Sequence, residues 1–155
     1  MKSSTINRGC IMEPNIQEAV AVLKKFIIAM NKWEVYYCTL SMDYVDKGEY
    51  EKLNSLRPKK REELNAIYNT YLTLRERKYG RQSSLRVGYP AEYSPDEEIL
   101  ATEVLKKNKI AIETQDHSIL EYRYRYTLHY KNKEWRIDKK EVYRDEDDKW
   151  EILPL

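Results

Sequence analysis

Twelve consecutive residues, Ile119 to Tyr130, alternate almost without error. Leu120, Tyr122, Tyr124, Tyr126, Leu128 and Tyr130 fall on one side; Glu121, Arg123, Arg125, Thr127 and His129 fall on the other. A period of two is what a half-buried β-strand requires, because successive side chains point to opposite faces. Lys131-Asn132-Lys133-Glu134 reads as a turn and Trp135-Arg136-Ile137-Asp138 resumes the alternation, so the two runs form an antiparallel hairpin. A third arm, Trp150 to Leu153, follows the acidic turn Asp145-Glu146-Asp147-Asp148. The apolar face of such a meander has to be covered, and the first half of the chain supplies the cover.

That half is helical by pattern. Asn15 as N-cap with Glu18 three residues on is a capping-box arrangement. Ile16, Val20, Leu23, Ile27, Met30, Trp33, Tyr37, Leu40 and Tyr44 then recur at three- and four-residue steps, one long amphipathic stripe with a bend expected near Asn31-Lys32 and a stop at Gly48. A short turn carrying Tyr50, Leu53 and Leu56 precedes Pro58, which can open a second long helix because proline lacks only an N–H that would be unpaired there. Leu64, Ile67, Tyr68, Tyr71 and Leu74 would be its buried stripe, with Arg75, Arg77 and Lys78 in its last turn and Gly80 as its end. Leu85 to Tyr89 reads as a short edge strand, Pro90 to Asp96 as a two-proline loop, and Glu98 to Lys106 and Lys109 to Glu113 as strands around a turn at Lys107-Asn108. Helices first and an antiparallel meander second define a segregated α+β class. Residues 1–14 read as a flexible lead-in and 15–155 as one domain.

Charge and cysteine usage narrow the function classes. The chain has 155 residues and a net charge of +2, so no global field selects nucleic acid or an anionic membrane. Cys10 and Cys38 form neither a metal-ligand spacing nor a disulfide framework, which fits a reducing, cytoplasmic setting, and no window reads as a membrane span. The two histidines, His117 and His129, lack ligand spacing, so no metal and no cofactor is expected. Asp116-His117-Ser118 holds triad residue types, but adjacent side chains diverge and cannot form the triad's chain of hydrogen bonds, so no catalytic residue is assigned.

Three stretches carry a resemblance to a known family. Phe26 to Glu34 in the first helix, the loop Tyr89 to Pro95, and Glu134 to Asp138 with the final Trp150 resemble the bacterial immunity proteins of the nuclear transport factor 2-like fold, a strongly curved sheet wrapped around helices like a cone. The resemblance spans roughly residues 15 to 153. It implies a cytoplasmic, non-enzymatic protein that binds a cognate toxin domain of the Rhs or contact-dependent type. It carries over no catalytic residues.

Two surfaces are candidates for that partner. Arg123, Arg125, His129 and Arg136 are displayed by rigid strands, and arginine and tyrosine are enriched at binding hot spots. The acidic rim of Glu141, Asp145, Asp147 and Asp148 could instead complement a basic surface. Glu121, Glu134 and Asp138 interrupt the basic residues, as cross-strand ion pairs do, which argues against nucleic acid. Tyr122, Tyr124 and Tyr126 could line a pocket at the cone's mouth. The rival reading is therefore a small-ligand or isomerase- or dehydratase-like site with a neighbouring acid as base. Burial alone accounts for the tyrosines, so the binding role is favoured.

Overall fold

Caps and apolar spacing act together at the start of the described chain, which in this computed structural model comprises residues 15–155. The expectation for residues 1–14 lies outside the described residues. Helix α1 runs Ile16–Asp46, and the Asn15 side chain accepts the Glu18 N–H at 3.1 Å, satisfying one of the first-turn donors. The helix continues unbroken through Asn31-Lys32 and stops before Gly48, whose φ of 70° suits a residue without a Cβ. Its buried face comprises Ala19, Leu23, Phe26, Ile27, Met30, Trp33 and Tyr37, with Glu34 among them. Burying a side chain the size of Leu23 or Phe26 is worth roughly 1.5–3 kcal/mol, so this face is what holds α1 to the sheet. Helix α2 spans Tyr50–Ser55 and α3 spans Arg57–Tyr71, opened by Pro58 as expected.

The second long helix ends nine residues earlier than its pattern suggests, at Tyr71 instead of Gly80. Strand β4, Glu134–Arg144, explains the early stop: β5, Lys149–Leu153, pairs with only its second half, from Lys140 on. The open edge of the first half recruits the chain leaving α3, as Leu72 bridges Ile137 and the Thr73 N–H donates to the Ile137 carbonyl at 2.9 Å. Arg136 reaches across to cap the helix end, donating to the carbonyls of Asn69 and Leu72. Arg75 and Arg77 therefore lie in a loop and not in a last helical turn. The edge strand expected at Leu85 to Tyr89 is also absent. Residues Arg81–Ser84 form a one-turn helix, α4, and Leu85 at φ 53° turns the chain away from extended geometry, burying its own side chain in the core.

The remaining strands are β1 (Glu98–Lys106), β2 (Lys109–Gln115) and β3 (Arg123–Lys131), and the sheet is an open antiparallel meander in sequence order. The alternating run starts its strand four residues late, at Arg123. Asp116 accepts from the Ser118 N–H and hydroxyl, Glu121 sits at φ 51°, and Ser118 to Glu121 form a turn. Asn132 and Lys133, both at positive φ, make the two-residue turn between β3 and β4. Ile110, Ile112, Tyr124, Tyr126, Leu128, Ile137 and Val142 face α1 and α3 in one core.

Candidate functional site

A register shift in β4 places a charge where the core should be apolar. Trp135 and Ile137 point inward, and strict alternation would continue with Lys139 and Glu141. The irregularity beside Asp138 adds one residue opposite the Thr127/Leu128 step, so the phase inverts and Lys140 and Val142 turn inward instead. Thr73 donates its hydroxyl to Asp138 at 2.7 Å and Arg75 pairs with it at 3.1 Å, holding the extra residue outside.

Lys140 is 0% exposed, and the structure surrounds it with partners. Its Nζ lies 2.5 Å from Glu92 Oε2, 3.9 Å from the Tyr93 ring centre and 4.1 Å from that of Tyr124, an aromatic box closed by Tyr126. Glu92 in turn pairs with Arg81, and Arg81 Nη1 is 2.9 Å from Glu34 Oε2. The four charges alternate in sign along a chain from α1 to β4. Burial pushes the Glu92 carboxyl up, but Lys140 and Arg81 outweigh it and hold the group down at about 2. Burial drives the phenols of Tyr93 and Tyr126 well above their ordinary value, so both rings stay neutral.

The same network fixes a loop. Glu34 accepts the backbone N–H groups of Glu92 and Tyr93 at 3.1 and 3.0 Å, and the Asn31 amide donates to the Tyr93 carbonyl at 2.8 Å. Two of the stretches singled out in the sequence, Phe26 to Glu34 and Tyr89 to Pro95, thus meet in space through these bonds. Above the loop are two concavities that share Gly88 and Pro90 as a wall. One, of about 590 Å³, lies between the C-terminal half of α1 and the loop; the other, of about 330 Å³, is lined by Arg86, Leu120, Tyr122, Tyr124 and Arg144. Tyr122 and Tyr124 thus line the second cavity, whereas Tyr126 is fully buried against Lys140. Nearby, Glu97 is buried and accepts the Thr114 hydroxyl at 2.6 Å; burial raises its pKa.

The outer face of the sheet gathers some of the expected contact residues and separates others. Arg125 makes a two-pronged contact with Glu141 (3.0 and 3.2 Å), Arg123 pairs with Glu113 at 3.1 Å, and both guanidinium groups stack on Trp150, with Arg123 also over Tyr143. His129 and Arg136 are cross-strand partners nearer the other end of that face. Burial lowers the His129 pKa, with Asp138 at 3.7 Å opposing it. Asp145, Asp147 and Asp148 form the β4–β5 turn, where Asp148 accepts the Tyr143 hydroxyl. Glu34, Arg81, Glu92 and Lys140 were not assigned a role by sequence reasoning, although Glu34 and Glu92 lie in two of the stretches that carry the resemblance. One signal was present: Val142 is out of phase with Trp135 and Ile137, which betrays the inserted residue.

Helices laid on an open five-stranded antiparallel meander place the chain in a defined α+β class. It belongs to the NTF2 fold immunity protein family, whose model matches residues 18–152, and its function is immunity, the neutralisation of a toxin. Among its relatives is Immunity protein RhsIA of Dickeya dadantii (strain 3937), 45% identical over 135 residues that cover 87% of this chain and 94% of that protein. No solved structure matches the chain. The resemblance read from the three sequence stretches is borne out, and nothing in these matches favours the enzymatic alternative. No described helix is long and apolar enough to cross a membrane.

Proposed function

We propose that this chain acts in the cytoplasm, without catalysis, by stoichiometric capture of one cognate toxin domain from an Rhs-type or contact-dependent effector. The observation that carries the reading is the family match across residues 18–152, reinforced by a relative named as an Rhs immunity protein at 45% identity. The interior supports it. The acids and bases at the second cavity, with Glu34, Arg81 and Glu92 in its lining and Lys140 beneath them, are committed to one another, a use of charge that builds a rigid scaffold.

Capture and turnover differ in dose. Purified toxin domain encoded beside this chain, titrated with the full-length protein, should lose activity linearly to an endpoint near one equivalent. Coexpression should likewise rescue cells from that toxin. Inhibition complete at a small fraction of an equivalent would mean catalysis, and failure to rescue against that neighbour would end the proposal.

A further inference from the structure

Several exposed apolar side chains surround the larger concavity. Val35 and Met42 of α1 are exposed and line the 590 Å³ groove. Tyr89, on its opposite wall, is 88% exposed, and Ile119, beside the groove-lining Ser118, is 84% exposed. Single exposed apolar residues are ordinary; several around one concavity mark an interaction site. Two charged residues line the groove, Asp43 and Asp46. Asp43 pairs with Lys47 at 3.1 Å, while Asp46 makes no ion pair among the described residues. The wall opposite α1 is not free to collapse, because Asn31 and Glu34 tether the loop at Glu92 and Tyr93. A surface held in its bound shape loses little entropy on docking.

We propose that the cognate toxin domain docks on this ridge, seating an apolar segment that carries a lysine or arginine in the groove between α1 and the Gly88–Ser94 loop, beside Asp43 and Asp46. The proposal rests on the immunity reading and names the surface that performs it. Chemistry selects the occupant: apolar walls take the stem of a long basic side chain, and the aspartates take its charged head. The outer sheet face is the poorer docking surface, because Arg123 and Arg125 already satisfy Glu113 and Glu141 and a partner would have to compete with those pairs. A specific complex covers about 800 Å² per side, so the toxin would also contact surface beyond the groove itself.

The test uses the full-length protein and a catalytically inactivated form of the neighbouring toxin domain, with affinity read by calorimetry. Tyr89→Ala and Asp46→Lys each alter an exposed side chain, and a lysine at the C-terminal end of α1 suits the helix dipole, so melting temperatures should not move. Each should weaken the complex at least tenfold and reduce rescue in cells, whereas Ile152→Lys, an exposed change on the sheet face, should leave affinity within twofold. Groove variants that bind within twofold of the parent overturn the proposal, as does a large loss with Ile152→Lys, and in both cases the parent's own binding leaves the immunity reading standing. Light scattering that shows the parent self-associating, and the groove variants monomeric with toxin affinity intact, would assign the groove to a second copy and overturn it as well. A parent chain that forms no complex removes the immunity reading and this surface together.

Discussion

Replacing Arg81 by methionine tests whether the buried charges act as one unit. Arg81 has a side chain 5% exposed and sits between Glu34, 2% exposed, and Glu92. Without it, two carboxylates face one ammonium, Lys140, and Glu34 keeps its two backbone N–H donors but no cation. Breaking a buried pair by removing one partner costs about 3–5 kcal/mol, since the remaining charge stays desolvated. For a chain of this size each kcal/mol lowers the melting temperature by roughly 2–4 °C, so Arg81→Met should melt about 6–20 °C below the parent. The companion change Glu34→Gln restores charge balance, leaving only the Glu92–Lys140 pair. The double variant should therefore lose less than the two single losses summed, by about 1–3 kcal/mol of coupling. Urea unfolding of the parent, both single variants and the double closes this cycle. An Arg81→Met loss below about 1 kcal/mol, or single losses that add without coupling, would refute the account of a linked ionic chain.

The acid limb of stability should trace to Glu92, whose carboxyl lies at about 2 against an ordinary 4.5. A depressed acid contributes stability that is complete above its unfolded pKa and lost as pH falls through the folded one, so the loss should run from about pH 4.5 down to 2. Glu97, raised by burial, works in the opposite sense and above that window, adding stability as pH falls toward 4.5. Glu92→Gln should be less stable at neutral pH yet flatter between pH 4.5 and 2 in urea midpoints; an unchanged slope would reassign the limb to other groups. Two glycines should respond for different reasons. A Cβ on Gly80 would lie 1.7 Å from the Leu155 carbonyl oxygen, so Gly80→Ala should cost about 1–3 kcal/mol by displacing the C-terminus, and the cost should vanish in a chain ending at Leu153. Gly48→Ala meets open space and should cost about 1 kcal/mol from its positive φ alone, whatever the C-terminus; equal dependence on the truncation would contradict the steric argument.

Much of the fold was legible because the signals were local. The Asn15 cap, the α1 stripe, the Pro58 start and the Lys131 to Glu134 turn each depend on residues within one or two turns of each other, and each is present. The misreadings arose where a distant element decided the matter. Tyr71 to Gly80 carries a helical pattern, but the half-open edge of β4 offers Thr73 a sheet hydrogen bond that the helix cannot match for position. The tyrosine run was correctly sided over Tyr124, Tyr126 and Leu128, while its first residues were diverted by the Asp116 turn. The sequence left the choice between contact surfaces open for the same reason: the carboxylates that pair with Arg123 and Arg125 come from neighbouring strands.

The interior charges matter to function through the loop they hold. Apolar residues of similar volume would serve the core about as well as a buried ion chain, which is rarely a net source of stability. What apolar residues could not supply is direction. Glu34 presents two carboxylate oxygens to two successive backbone N–H groups, and Arg81 and Lys140 grip Glu92 from either side, so the loop bearing Tyr89 can take one position above α1. A partner that reads the shape of the groove would therefore sense the loss of Glu34 even though that side chain lies outside the groove and is only 2% exposed. Glu34→Gln keeps the volume but offers a donor to one of the two N–H groups. It should slacken the loop and weaken docking while Tyr89 itself is untouched. On the proposed docking mode the buried acid is a positioning residue, and stability and recognition would converge on the same few hydrogen bonds.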